Sequence, residues 1–135
     1  DEADLIVLVT TADIPSLRNV RLFFEVTEQL GYPMEKILLV LNKSDPRRSR
    51  IRASDIEESI KHPVTAELPL DDMVPLSINQ GVPMITSDGS RPISQAINRL
   101  ATKMQEMWAI AVEEKATAES TAEDPARRRL GRFFR

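Results

Sequence analysis

The chain has 135 residues, 41% of them apolar, which is enough for one domain with a hydrophobic core. It contains no cysteine, which excludes a disulfide scaffold and any thiolate metal site. The single histidine, His62, has no carboxylate cluster around it in the sequence, so no metal site is predicted. The net charge of -3 gives no indication of nucleic-acid binding by the chain as a whole. No apolar run approaches the ~20 residues that a membrane-spanning helix needs.

The first half of the chain predicts a strand, a helix and a second strand. Residues 4–10 (DLIVLVT) are apolar on both faces, which is typical of a parallel strand covered by helices. Asp13, followed by Ile-Pro-Ser, predicts a capped helix start, and apolar residues at helical spacing continue to Gly31, which predicts the helix end. Residues 36–41 then predict a second buried strand.

The second half of the chain repeats this alternation. The residues SDIE at 54–57 predict the start of a short helix, and residues 62–68 predict a third strand. Residues 71–80 predict another short helix that ends at Gly81. Apolar residues from position 93 to position 108 predict a long helix, which gives way to an acidic stretch rich in Ala and Thr from position 113.

Alternating strands and helices predict the α/β class, with a doubly wound, mostly parallel sheet and helices on its faces. Three such apolar strands alone would leave a sheet edge exposed, so we interpret the chain as the C-terminal portion of a larger domain. Residues 1–115 are assigned to this domain, and residues 116–135 to a disordered, basic-aromatic tail. The ending RRRLGRFFR fits either a solvated end or contact with an anionic membrane surface or a partner.

The stretch LVLNKSD at 39–45 suggests a base-reading site. Ligands of open α/β sheets bind beyond the carboxyl ends of the strands, where Asn42 is expected. An amide both donates and accepts hydrogen bonds, which suits the edge of a purine. The carboxylate of Asp45 could accept from the N1 and N2 hydrogens of guanine, so the tetrapeptide by itself favours guanine. The same residues are also typical of an ordinary turn after a strand.

Phosphate chemistry has no comparable support in the sequence. None of the four glycines lies in a G-x-x-x-x-G-K-[ST] frame, and no turn from strand to helix offers a cradle of backbone amides. Asp71 and Asp72 are interpreted as residues that cap a helix rather than as metal ligands. The chain itself is therefore not expected to hydrolyse a nucleotide, to hold a metal ion or to bind a nucleotide tightly.

A basic loop follows the base-reading stretch directly, with Arg47, Arg48, Arg50 and Arg52 within six residues. Side chains of like charge repel one another, so they are not expected to be there for stability. The loop fits either a solvated segment or a contact with an anionic partner such as an acidic membrane, an acidic second subunit or DNA. DNA is the least favoured of these, given the net acidity of the chain and the absence of aromatic residues from the loop.

Five segments, taken in chain order, resemble one known family. They are ADLIVLVTTADIPSLRN at 3–19, VLNK at 40–43, LPLD at 68–71, NQGVPM at 79–84 and PISQAINRLA at 92–101. Together they resemble the part of MinD/ParA-type P-loop ATPases that follows the Walker B strand. The form DIPSLRN is most similar to the pilus-assembly branch called CpaE or TadZ. The resemblance is nearly continuous from residue 3 to about residue 104.

The resemblance implies an adenine site rather than a guanine site. Asn42 stands where the family's asparagine reads adenine, and Lys43 stands where the family often has arginine. The backbone from Pro69 through Leu70 to Asp71 stands where the family's chain closes over the base. A guanine-binding protein would also be expected to carry a Ser-Ala-Lys-like turn, where this sequence has Glu-Leu-Pro at 67–69. The resemblance therefore favours adenine, with Asp45 as a turn residue.

The family's Walker A, switch and Walker B segments correspond to sequence before residue 1, so the resemblance assigns no catalytic residue here. It implies a longer bacterial protein of an ATPase family that binds ATP or ADP with Mg²⁺ and forms a homodimer. It also implies work with pilus or secretion machinery in the cytoplasm, at a cell pole or beside the inner membrane. Two alternatives stay open: a non-catalytic interaction or dimerisation module with a vestigial nucleotide site, and a GTP-binding regulator that uses NKSD.

Overall fold

A computed structural model describes residues 3–122 and shows a three-stranded parallel sheet in the order β1-β2-β3. The strands are β1 (Ile6–Thr10), β2 (Ile37–Ser44) and β3 (Val64–Pro69). The pairing of β1 with β2 is regular, from Ile6 opposite Ile37 to Thr10 opposite Leu41. The predicted α/β class and the parallel sheet are therefore confirmed.

Helices separate the strands and follow the last of them. They are α1 (Ile14–Gln29), α2 (Ala53–Ile60), α3 (Val74–Gln80), α4 (Met84–Ser87) and α5 (Pro92–Ala122), with a single 3-10 turn at Met34–Lys36. The sequence predicted all of these α-helices except α4, which is a single turn. The helix α5 packs against β3 and α4, so it closes one face of the sheet.

The start of α1 shows how the sequence sets a helix boundary. The carboxylate of Asp13 accepts a hydrogen bond from the backbone N–H of Ser16 at 2.9 Å, so it satisfies a helix donor that would otherwise lack a partner. The side-chain hydroxyls of Thr11 and Ser16 also donate to Asp13. These hydrogen bonds, led by the one from Thr11, hold the pKa of Asp13 below its ordinary value.

The core lies on both faces of the central strand β2. The alternate residues Ile37, Leu39 and Leu41 form one buried cluster with residues of α1 and α2, among them Phe24 and Ile56. Leu38 and Val40 alternate with them, so their side chains point to the opposite face, and they are equally buried. A strand that is buried on both faces explains why residues 37–41 are apolar without alternation.

The strand β2 continues further than the sequence predicted. The prediction ended it at residue 41, but it extends to Ser44, with an irregular register against β3 between Leu41 and Ser44. Within this irregularity Lys43 has a φ angle of 54°, in the left-handed region that residues other than glycine rarely adopt. Asn42 thus lies within the irregular C-terminal part of β2 and not after the strand.

The helix α5 also continues further than predicted. It runs for 31 residues to Ala122, so residues 116–122, which were assigned to the tail, belong to the helix. The rest of the predicted basic-aromatic tail, residues 123–135, lies outside the described part of the chain. In the described part, no helix has the length and apolarity needed to cross a membrane.

Gly81 ends α3 with a φ angle of 65°, and its N–H donates to the carbonyl of Ile78 at 3.1 Å. Gly81→Ala is expected to lower the free energy of unfolding by about 1 kcal/mol, because an L side chain is strained in this left-handed conformation. Gly89→Ala is the matched control, since Gly89 has no left-handed φ angle and its nearest heavy atom is at 3.5 Å. Equal urea unfolding midpoints for the two variants would contradict the prediction.

Candidate functional site

The candidate site lies at the carboxyl ends of β2 and β3, where the two strands are held together. Ser44 is paired with Pro69 in the sheet, and the N–H of Leu70 donates to the carbonyl of Ser44 at 2.9 Å. The hydroxyl of Ser44 donates to the carboxylate of Glu67, also at 2.9 Å. These bonds place the end of β2 beside the loop that follows β3.

A cavity of about 730 Å³ opens at this edge, within the size range of small-molecule sites. All five residues predicted to bind the base line it: Asn42, Lys43, Pro69, Leu70 and Asp71. Most of its remaining lining is apolar and comes from α3, α4, α5 and the segments around them. These further residues are Leu68, Val74, Pro75, Ser77, Ile78, Asn79, Pro83, Met84, Ile93 and Ile97. Flat aromatic rings bind well between such apolar walls, because both of their faces are removed from water.

The Asn42 side chain is half-buried and lies where β2 borders the cavity. Its Oδ1 atom accepts a hydrogen bond from the N–H of Lys43 at 2.9 Å, which fixes the plane of the amide. Among residues 3–122, its Nδ2 atom has no hydrogen-bond partner, so both of its hydrogens are available to a ligand. A carbonyl oxygen has two lone pairs, so Oδ1 can accept one more hydrogen bond.

Asp45, the alternative reader of guanine, does not line this cavity. Its Oδ1 atom accepts from the N–H of Arg47 at 2.9 Å, and its Oδ2 atom lies 3.3 Å from Nε of Arg48. Its backbone carbonyl accepts from the N–H groups of Arg48 and Ser49, each at 3.0 Å. Both carboxylate oxygens therefore stabilise the turn that Asp45 begins.

The basic loop is fixed in place at the same edge of the sheet. The hydroxyl of Ser49 donates to the carbonyl of Ala12 at 3.2 Å, which ties the loop to the segment between β1 and α1. All four arginines of the loop are exposed. Arg48 pairs with Asp45, whereas Arg47, Arg50 and Arg52 form no ion pair with another described residue. Their charge is therefore available to an outside partner.

Arg91, which the sequence did not single out, does not line the cavity itself but binds a residue that lines it. Its Nε and Nη2 atoms donate to Oδ2 and Oδ1 of Asp71, each at 2.8 Å, in a bidentate ion pair. Asp71 was predicted to contribute backbone at the base and to cap a helix. Its Oδ1 atom accepts from the N–H of Met73 at 2.9 Å, just before α3, and its carboxylate is otherwise engaged by Arg91.

The hydrogen bonds from Arg91, together with that from Met73, hold the pKa of Asp71 below its ordinary value of 3.8. A carboxylate with a lowered pKa in the folded state stabilises the fold above the unfolded-state pKa, and this contribution is lost as the pH falls through the folded-state pKa. Asp71→Asn should therefore cost stability at pH 7, and its deficit should shrink as the pH falls below 3.8. Urea unfolding across this range measures it, with Asp72→Asn as a control for charge. A deficit that is independent of pH would contradict the prediction.

Metal ligands are not gathered at this edge. Among residues 3–122, no group of three or more His, Cys, Asp or Glu side chains is placed to hold a metal ion.

No protein-family model matches the sequence. The septum site-determining protein MinD of Thermotoga maritima is 23% identical over 107 residues, which cover 76% of this chain and 39% of the relative. The chain thus spans about two fifths of the length of this curated relative.

Solved structures with similar folds come from the same group of proteins. MinD of Pyrococcus horikoshii complexed with Mg-ADP has a TM-score of 0.67 at 21% identity, over 81% of this chain and 44% of that one. MinD in the MinC:MinD cell division complex of Aquifex aeolicus has a TM-score of 0.69 at 20% identity, over 77% and 43%. A ParA family ATPase of Chlorobium tepidum has a TM-score of 0.60 at 24% identity, over 81% and 40%.

The described part of this chain therefore has the fold of the corresponding part of MinD/ParA-type P-loop ATPases. The three-stranded parallel sheet with its flanking helices matches this fold.

Proposed function

We propose that this chain is the C-terminal part of a MinD/ParA-family ATPase and forms the side of the nucleotide site that binds the base. One observation carries the proposal: the five residues predicted from the sequence line a single cavity, with the Nδ2 atom of Asn42 free to donate. The complex of a structurally similar MinD with Mg-ADP supports an adenine nucleotide as the ligand. ATP or ADP with Mg²⁺ is thus the expected ligand of the full-length gene product.

The geometry of Asn42 favours adenine over guanine. Its Nδ2 atom can donate to N7 of either purine, and the second lone pair of Oδ1 can accept from the amino group of adenine. Guanine carries an acceptor, O6, at the corresponding position, so its oxygen would face the oxygen of Asn42. Asp45 is engaged by its own turn and is not available for the N1 and N2 hydrogens of guanine.

Competition binding tests the proposal on the full-length gene product. A fluorescent ADP should be displaced by ADP at much lower concentrations than by GDP. A preference for GDP that Asp45→Ala abolishes would support the GTP-binding alternative instead. The chain of 135 residues by itself should show no Mg²⁺-dependent ATP turnover, because its sequence has no phosphate-binding frame. Turnover by the pure chain would contradict this part of the proposal.

The finer role that we propose is pilus assembly or positioning, as in the CpaE/TadZ branch. The segment DIPSLRN at 13–19 supports it, and the start of α1 is built on this segment. We expect the full-length protein to form a homodimer, to contact pilus or secretion components, and to act in the cytoplasm at a pole or beside the inner membrane. Nucleic acid is not an expected partner.

The basic loop is the surface that we propose for contact with an anionic partner of this machinery. Reversing Arg47 and Arg50 to Glu should change the stability of the fold by less than about 0.5 kcal/mol, since both side chains are exposed and form no ion pair within the described chain. The same change should disturb the localisation of the full-length protein in cells. The pair Arg99→Glu and Lys103→Glu on α5 is the matched control. Normal localisation at normal protein levels would leave the loop as a solvated segment.

A second candidate function is an interaction or dimerisation module, and one observation favours it. The C-terminal half of α5 exposes Trp108 and Val112, which are 54% and 49% accessible and, four residues apart, lie on the same face of the helix. Neighbouring exposed apolar side chains are typical of a binding surface. A full-length product that dimerises and binds no purine nucleotide would support this function over the nucleotide site.

A further inference from the structure

The ion pair between Asp71 and Arg91 joins two parts of the candidate site that lie twenty residues apart in the sequence. Asp71 belongs to the loop after β3, which forms one wall of the cavity. Arg91 directly precedes α5, and its carbonyl accepts the first helical hydrogen bond, from Gln95 at 3.0 Å. Ile93 and Ile97, in the first turns of α5, form another wall of the same cavity. The pair therefore connects two walls.

The geometry of the pair is that of a fixed link and not of a loose surface contact. Two parallel hydrogen bonds at 2.8 Å align the guanidinium plane with the carboxylate plane. The side chain of Asp71 is 8% exposed, and that of Arg91 is 35% exposed. By contrast, the Arg21–Glu25 pair on α1 has one contact at 3.2 Å, with side chains that are 68% and 55% exposed. Exposed pairs of this second kind contribute little to structure.

Two further hydrogen bonds, from the backbone N–H groups of Leu70 and Met73, fix the loop. The N–H of Leu70 donates to Ser44 at the end of β2, and the N–H of Met73 donates to Asp71. With Arg91 in place, residues 70–73 are held to the sheet on one side and to α5 on the other. Without it, the loop would keep its link to β2 but lose its link to α5.

We infer that Arg91 is a positioning residue of the base site: through Asp71 it holds the wall formed by residues 69–71 at a fixed distance from the wall formed by α5. This inference rests on the proposed function, because the ligand of the site is the purine base. A cavity whose walls are fixed in advance binds a flat ring more tightly, since no loop has to be ordered on binding. Arg91 acts through Asp71 and makes no direct contact with the base.

The test uses Arg91→Gln and Arg91→Lys in the full-length gene product, with Arg21→Gln as the matched control. Arg91→Gln should weaken ADP binding about tenfold, the scale of one charge-assisted hydrogen bond. Arg91→Lys keeps the charge but loses the two parallel bonds, so it should restore only part of the affinity. If Arg91 acts through Asp71, adding Arg91→Gln to Asp71→Asn should weaken binding by less than about twofold. Independent losses that multiply would overturn the inference.

Hydrogen exchange provides a readout that needs no nucleotide. The amides of Leu70 and Met73 should exchange faster in Arg91→Gln than in the wild type, whereas those of Leu39 and Val40 in the core should be unchanged. Unchanged exchange at residues 70–73, or equal acceleration across the whole sheet, would overturn the inference. A wild-type protein that binds no adenine nucleotide would overturn the proposed function and the assignment to a base site, while the exchange rates would still decide whether Arg91 holds the loop.

Discussion

Leu39→Ala is expected to lower the free energy of unfolding by about 3 kcal/mol, the scale of large-to-small substitutions at fully buried positions. Leu39 lies in the centre of the middle strand and is 0% exposed. It packs in the cluster that joins β2 to α1 and α2. Truncation removes apolar contacts and leaves a cavity that the surrounding residues of β2, α1 and α2 cannot fill completely. The decrease in the free energy of unfolding should therefore exceed that caused by truncating an exposed side chain.

Urea unfolding measures the effect, with Val9→Ala as the control. Val9 is also an aliphatic residue in a strand, but it is 55% exposed. Its truncation to Ala should therefore lower the free energy of unfolding by less than about 0.5 kcal/mol. Similar costs for the two variants would mean that β2 is not the centre of the core in solution.

Under the proposed function, Asn42→Ala is expected to lower the affinity of the full-length protein for ADP by about 1–3 kcal/mol, because it removes the donor and the acceptor that the proposal assigns to the purine edge. The fold should be little affected, since the hydrogen bond that Asn42 accepts is a local one from Lys43. Titration of ADP into the variant measures the loss. Asn98→Ala, at an exposed position of α5, makes the same chemical change away from the cavity.

The outcome for GDP separates recognition from general damage. If Asn42 reads adenine, its loss should narrow the preference for ADP over GDP as well as weaken ADP binding. An Asn42→Ala protein that binds ADP like the wild type would remove this residue from the site.

The strands β1 and β2 could be predicted because their apolar runs are continuous, and a strand covered on both faces needs such a run. The ends of elements were harder to predict. The strand β2 continues through Asn42 and Lys43 because its register against β3 shifts there, a feature of the pairing that has no signature in one strand's sequence. The helix α5 reaches Ala122 because its last part is rich in Ala and Glu, which favour a helix even without an apolar face.

The site was predicted where it depends on the order of elements and missed where it depends on tertiary contacts. Asn42 was expected at the carboxyl end of its strand, where ligands of open α/β sheets bind, whereas residues 69–71 were placed at the base only by the family resemblance. Arg91 was missed because its partner, Asp71, lies twenty residues earlier in the sequence, with α3 and α4 between them. Ile93 and Ile97, which line the cavity, were likewise interpreted only as residues of a long helix.

The length of α5 has a mechanical consequence. With a rise of about 1.5 Å per residue, its 31 residues make a rod about 46 Å long, and Arg91 fastens one end of that rod beside the cavity. Because displacement grows with distance from the fixed end, a tilt of about 5° at Arg91 would displace the opposite end by about 4 Å. A small change of angle beside the cavity would thus move Trp108, in the C-terminal half of the helix, further than Ile93 and Ile97 in its first turns.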